Sequence, residues 1–414
     1  MKTEILTHLN DPRQLEKLYR SNKAPFKREF SALYPELKGN ALADFWYERL
    51  YYDTDDINWG SSRELALVIM GALVAGFIAK IPIIFHLDEA FFYPRNIGFI
   101  FLPILTAYFA WKNNLHTRLI VVIGAVMLLS LFYINVLPAS TQSDTLLLAC
   151  IHLPLLLWVL LGAAFTGNNL TDHNRRLDYL KYNGDLIVMT TLILIAGGIM
   201  TALTINLFLL IGLRIEQLYF AYFGIFGLAA APIVGTYLIQ TNPQLVNKVS
   251  PVIAKIFSPL VLVMLVIYLF AIIYSGKDPY NDREFLLIFN LLLIGVMAII
   301  FFSVAESAAT AGNAMATWVL FLLAAVTIVV NGIALSAILF RIAEWGITPN
   351  RLAVLGSNIL MLLNLLFITV LLFRSQTKKY ALADVGRSIA LFLPVYGIWA
   401  MIVVFLFPLL FNFK

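Results

Sequence analysis

The chain has 414 residues, 61% of them hydrophobic and only 13% charged, with a formal net charge of +5. A soluble globular domain is roughly 45–50% apolar and about 25% charged, so the composition excludes an ordinary soluble domain and gives no ground for nucleic-acid binding. The single cysteine, Cys150, stands in an apolar run; it excludes an internal disulfide framework and a cysteine-based metal centre and reads as a small buried residue.

Residues 1–61 are the one sizeable polar segment. The opening MKTEILTHLNDPRQLEKLYRSNK lacks the apolar core of a signal peptide, so the first span is expected to act as the insertion signal and this segment to stay in the cytoplasm. Asp11-Pro12 reads as a helix cap and first-turn proline, followed at helical spacing by Leu15, Leu18 and Tyr19. Ala24-Pro25 restarts a helix with Phe26, Phe30 and Leu33 on one face, and NALADFWYERLYY sets Leu42, Phe45, Trp46 and Arg49 about a turn apart. A unit of about sixty residues is only marginally able to fold alone. Its aromatic residues Trp46, Tyr47, Tyr51, Tyr52 and Trp59 suit the lipid headgroup layer. The expectation is a small helical module on the membrane or the bundle loops, available to a protein partner. The acids Asp53, Asp55 and Asp56 are an acidic turn in preference to a divalent-cation site.

From Ser62 onward, apolar runs recur at the length that crosses a hydrocarbon core of roughly 30 Å. The expected spans are 62–84, 96–111, 117–137, 144–165, 185–212, 217–240, 250–274, 284–305, 314–340, 350–373 and 386–410. The second is short and holds Pro103, which predicts a tilted or re-entrant segment, and the barely polar link 306–313 admits a continuous helix. Lipid offers the backbone no hydrogen bonds, so these runs must be helices. With the N-terminus inside, the inner loops carry Lys112, Arg118, Arg175, Arg176, Lys181, Lys248, Lys255, Arg374, Lys378, Lys379 and Arg387. The outer loops carry Arg95, Arg214, Lys277, Arg283, Arg341 and Arg351, so the positive-inside bias favours a cytoplasmic N-terminus.

Residues able to do chemistry are few. His173 and Asp178 form an H-x4-D pattern within a charged inner loop, where a solvated loop is the expected reading. HLDEAFFYPR sets Asp88, Glu89 and Arg95 in the first outer loop, and an acidic pair there is similar to that of membrane glycosyltransferases using lipid-linked sugars. Within the spans, Lys80 is placed to snorkel, and Asn206, Asn290, Asn331, Asn358 and Asn364 are expected to bond across helices. His152 reads as an interior histidine with its partners, and Glu306 is a candidate for proton or cation handling. There is no P-loop, HExxH, selectivity-filter motif or nucleophile elbow.

Residues 341–356 read RIAEWGITPNRLAVLG. Gly346 suits a helix stop, Thr348-Pro349 a cap and first turn, and Trp345 a membrane-interface anchor. Arg341 and Glu344 are spaced to pair on one helix face, and Arg351 is placed to reach Glu344 across the turn. The pattern R-I-x-E-[WY]-G-[IL]-T-x-x-R, carried here by Arg341, Glu344, Trp345, Gly346, Thr348 and Arg351, resembles a bacterial polytopic membrane family described as domain of unknown function 4153. FWYERLYYD…INWG and AKIP…FFYPRNIGF are similar to members from Bacteroidetes-type bacteria. The resemblance implies a bacterial inner-membrane protein and supplies no substrate, reaction or cofactor.

These features predict an all-α polytopic membrane bundle of about eleven transmembrane helices, 62–414, preceded by a cytoplasmic helical module, 1–61. The favoured reading is a permease-like transporter of a small or amphiphilic solute, with Arg341, Glu344, Arg351 and Glu306 as binding or gating candidates. Two readings stay open beside it: an enzyme on a lipid-linked substrate using Asp88, Glu89 and Arg95, and a non-catalytic sensor or assembly partner. The expected partners are the bilayer, a small-molecule or lipid ligand, and a protein docking on 1–61. No cofactor, metal or catalytic residue is assigned.

Overall fold

A computed structural model of the chain describes residues 2–21, 23–51, 59–138, 143–210, 213–247, 249–275, 280, 283–309, 314–376 and 382–413. Every regular element among them is helical. The chain divides into two compact units, Met1–Asn58 and Trp59–Lys414.

The first unit holds α1 (Lys2–Thr7), α2 (Pro12–Ser21), α3 (Lys23–Leu37) and α4 (Ala41–Tyr51). Asp11 caps α2, its carboxylate accepting from the N–H groups of Arg13 and Gln14 at 3.0 and 3.2 Å. Asn40 does the same for α4 through Leu42 and Ala43. Ile5, Leu15, Phe26, Phe30, Leu33 and Trp46 form one buried core. Trp46 is therefore a core residue here, not a headgroup anchor: it is 1% exposed, with Phe26 and Tyr19 rings packed on it. Tyr52, Asp53, Asp55 and Asp56 lie outside the described residues.

Among the described residues of the second unit, eleven helices are long and apolar enough to cross a membrane. They are α5 (Ser62–Ala79), α6 (Glu89–Lys112), α7 (Thr117–Val136), α8 (Asp144–Thr166), α9 (His173–Leu210), α10 (Glu216–Thr241), α11 (Val249–Ser275), α12 (Arg283–Ala309), α13 (Ala314–Trp345), α14 (Pro349–Gln376) and α15 (Leu382–Leu410). The protein is a multi-pass membrane protein of all-α architecture. One core joins residues of α5–α10 with Ala400 and Val404 of α15. A second joins α11–α14 with Leu180 of α9 and Val385, Ile389 and Leu393 of α15.

Two spans begin about two helical turns or more before the point that hydropathy alone indicates. α6 starts at Glu89, not 96, and runs for 24 residues as a full crossing helix rather than a short re-entrant one. Its polar start is internally satisfied: Arg95 is buried against backbone carbonyls, and Asn96 and Asn135 exchange amide hydrogen bonds at 2.9 Å. α9 starts at His173, not 185, so HNRRLD of TDHNRRLD is helix rather than loop. Asp172 supplies its cap, accepting from the N–H groups of Asn174 and Arg175 at 2.9 and 3.2 Å. Between α12 and α13, residues 310–313 lie outside the described residues.

In the first unit, Glu16 takes the Arg20 Nε at 2.7 Å and pairs with Arg49 at 2.7 Å, joining α2 to α4. The Arg20 hydrogen bond, with Arg49 beside it, holds the Glu16 carboxyl below the usual carboxylate range. A depressed folded-state value means this contribution is present above the unfolded carboxyl value, about 4.3, and is lost as pH falls through the folded one. Amide-exchange protection of α2 and α4, corrected for intrinsic rates, should therefore hold from pH 7 to about 5 and weaken below about 4. The drop should be smaller in E16Q; an identical drop would show that other carboxylates govern it.

Candidate functional site

The hairpin between α13 and α14 is built from its helix ends. Gly346 adopts φ +76°, and its N–H donates to the Ile342 carbonyl at 2.9 Å, the left-handed stop that glycine makes without strain. Thr348 Oγ1 accepts from the Arg351 N–H at 3.3 Å, and Pro349 opens α14. The charged residues depart from the expected pairing. Arg351 Nη1 donates to the Trp345 and Gly346 carbonyls at 2.8 and 2.7 Å. Arg341, 8% exposed, donates from Nε to the Tyr280 carbonyl at 2.8 Å. Both guanidinium carbons lie 5.6 Å from the Trp345 ring centre. Glu344 is exposed and, among the described residues, forms no ion pair with either arginine. A carbonyl at a helix end has lost its intrahelical donor, and an arginine fork fills that need better than it serves a solvated carboxylate.

The outer-loop acids do not converge either. Asp88 caps α6, its carboxylate accepting from the Ala90 N–H at 3.0 Å, and Glu89 is exposed in the first turn. Arg95 is turned inward, donating to the Ile134 carbonyl at 3.2 Å and to those of Leu137 and Phe91 at 3.4 Å. Among the described residues no three His, Cys, Asp or Glu side chains gather closely enough to hold a metal ion. His152 Nδ1 sits 2.9 Å from the Leu148 carbonyl, and Lys80 Nζ lies 3.5 Å from the Tyr222 ring centre.

Charge is buried instead at one end of the bundle, where α5, α9 and α11 begin and α6 and α12 end. Two sites lie there. In the first, Glu64 Oε1 accepts from the Tyr108 hydroxyl at 2.5 Å and from Lys112 Nζ at 2.9 Å, joining α5 to α6. This pair is well supplied with partners, with the Lys112 side chain still partly exposed.

The second site brings together α9, α11 and α12. Glu306 of α12 is 2% exposed and Asp185 of α9 is 4% exposed. Lys181 Nζ lies 3.8 Å from Glu306 Oε2, longer than a charge-assisted hydrogen bond of about 2.7–2.9 Å. Asp185 follows Lys181 by one helical turn, on the same face. Asp185 Oδ1 has no hydrogen-bond partner among the described residues, and Ser250, fully buried on α11, stands beside it. One turn before Glu306, Ser303 shares a 2.8 Å hydrogen bond with Ser258 of α11. Gly184 makes this approach of α9 and α12 possible, because a Cβ there would lie 2.0 Å from the Phe302 ring. Glu306 was legible as the acid closing an apolar run. Asp185 was not, because it stood at the supposed boundary of its span; the signal was the i, i+4 pair Lys181–Asp185.

Between α8, the start of α9 and α15 a cavity of about 220 Å³ is lined by Trp158, Gly162, Arg176, Tyr179, Leu393 and Pro394. Pro394 lacks an N–H and so frees the Ala390 carbonyl, which Arg176 Nη1 takes at 3.2 Å. A wider groove of about 400 Å³, between α5 and α10, has almost wholly apolar walls including Ile69, Leu73, Phe226 and Val234. No family model, curated protein or solved structure matches the chain.

The hairpin geometry separates two kinds of charge. R351A should lower the thermal stability of the purified protein by about 1–2 kcal/mol through two lost charge-assisted hydrogen bonds, whereas E344Q should leave it unchanged. E344Q as damaging as R351A would reinstate the carboxylate as the centre of the clamp.

Proposed function

We propose that the protein is a permease-like transporter of a small solute, with Lys181, Asp185 and Glu306 at its ion- or solute-handling site. The observation that carries this reading is the burial of two carboxylates, from α9 and α12, beside one lysine inside a membrane bundle. Ionisable groups inside a membrane are expensive and face the bundle interior or a water-filled cavity, where they mark ion and solute pathways. Asp185 fits that description, since Oδ1 lacks a hydrogen-bond partner among the described residues. The hairpin arginines are spent on backbone carbonyls, which moves the weight of the proposal from Arg341, Glu344 and Arg351 to the Glu306 site.

The reading of an enzyme on lipid-linked substrates draws no comparable support, because Asp88 is a helix cap and Arg95 points away from it into the bundle. The excess of basic residues in alternate loops supports a cytoplasmic N-terminus. The hairpin motif supports membership of the family of domain 4153, and with it a bacterial inner membrane.

Alternating access requires the buried site to meet water from both faces in turn. In a C150A background, S250C or S303C should react with a membrane-impermeant maleimide in both right-side-out and inverted vesicles. Labelling after denaturation confirms that the thiol is present. Thiols that stay inert, or that react from one face only, describe a static charged crevice and overturn the transport reading.

A further inference from the structure

Asn331 lies in the middle of α13, fully buried, and neither amide atom has a hydrogen-bond partner among the described residues. This is unusual within the chain. Asn96, Asn135, Asn206 and Asn290 each return a hydrogen bond to the carbonyl four residues back, whereas Asn331 makes no such bond. Asn364 of α14 is also fully buried. Its Nδ2 donates to the Tyr396 hydroxyl at 3.0 Å, while Oδ1 has no partner.

These two residues share a depth. At about 1.5 Å per residue, Asn331 and Asn364 each lie about 21–23 Å from the hairpin turn that joins their helices. α13 and α14 are packed against each other, and the residues flanking both asparagines belong to the same core. Packing does not call for amides there, because neighbouring positions are Leu, Val and Ala. An amide left unpaired in an apolar interior is costly, whereas one that holds water is not.

We infer that Asn331, Asn364 and Tyr396 form a mid-membrane hydration site, binding ordered water inside the second half of the bundle. The polar groups suffice: a buried water typically makes two to four hydrogen bonds, Asn331 Nδ2 and Oδ1 offer two, and Asn364 Oδ1 stands unpartnered at the same depth on the adjoining helix. The site also continues a sequence of polar pairs across this half. Toward the hairpin end, Asn358 donates to Asn290 Oδ1 at 2.9 Å. Toward the opposite end come Ser258–Ser303 and then Glu306. Water at the middle level joins these into a hydrogen-bonding track between the buried acids and the far face. The inference stands on the asparagines and does not depend on the transport reading.

Methionines supply internal probes. Met297 and Met361 lie in the second core at 4% and 6% exposure; Met127 and Met189 lie in the first at 8% and 7%. X-ray radiolysis of the full-length protein in nanodiscs generates hydroxyl radicals wherever water is bound, and mass spectrometry reads methionine oxidation. Met361 or Met297 should oxidise on the order of tenfold faster than Met127 and Met189, because bound water is available only to the former pair. N331L/N364L should bring that rate down to the controls. Equal rates for all four methionines in the wild-type protein would overturn the hydration site, whether or not the variant folds. Unchanged Met361 and Met297 rates in a folded variant would overturn the role of the asparagines. Either outcome leaves the thiol-labelling result at Ser250 and Ser303 to speak separately for transport.

Discussion

Hydrocarbon cannot donate or accept a hydrogen bond, and most of what is distinctive here follows from that deficit. Helices satisfy their own middles but leave carbonyls unpaired at their last turns and wherever a proline interrupts them. In this chain arginines fill those gaps. Arg95 binds the carbonyls that end α7 and its following turn, Arg351 those that end α13, and Arg176 the one that Pro394 frees in α15. Each tethers one helix to the end or break of another or closes a tight hairpin. A guanidinium suits this task because it stays charged and presents several donors in a rigid fork. The basic residues that look most like ligand-binding groups therefore serve as backbone caps.

The same deficit separates the two buried ionic sites. Glu64 receives both a phenol and an ammonium at hydrogen-bonding distance, and it holds α5 and α6 together. At the second site the ammonium stands 3.8 Å from Glu306, and Asp185 turns an unpartnered oxygen into a core with a buried serine beside it. The carboxylates of the second site are the more deeply buried, at 2% and 4% exposure against 9% for Glu64. At the second, Asp185 Oδ1 keeps hydrogen-bonding capacity that no described residue fills.

Hydropathy located the helices well because span length and lipid exposure leave a strong signal in composition. It misjudged the starts of α6 and α9, where Arg95 looks like a loop residue but is buried against backbone carbonyls, and Lys181 looks like one but lies within the helix beside Glu306. Spacing on one helix face proposed an Arg341–Glu344 pair; the carbonyls of a turn, invisible to residue spacing, took the arginines instead. Trp46 shows a parallel error, since an aromatic cluster reads equally as an interfacial belt or as the core of a small domain. Asn331 was visible as a polar residue in a span, but its missing partners belong to three dimensions.

α9 decides how these observations combine. Tyr179, Tyr182 and Met189 pack into the first core, Leu180 packs into the second, and Lys181 and Asp185 lie between them in sequence. α15 is shared in the same way, with Ile389 and Leu393 in one core and Ala400 and Val404 in the other, and Arg176 ties α9 to it. The charged site thus sits on one of two helices that stitch the halves together, opposite Glu306 on a helix of the second half. Leu180 beside Lys181, and Val304 and Ala305 beside Glu306, pack in the same core, so that core's packing sets the Lys181–Glu306 separation. Gly184, where a Cβ would lie 2.0 Å from the Phe302 ring, keeps α9 and α12 close beside that pair. The geometry that brings the charges together is therefore also the geometry that joins the two halves of the bundle.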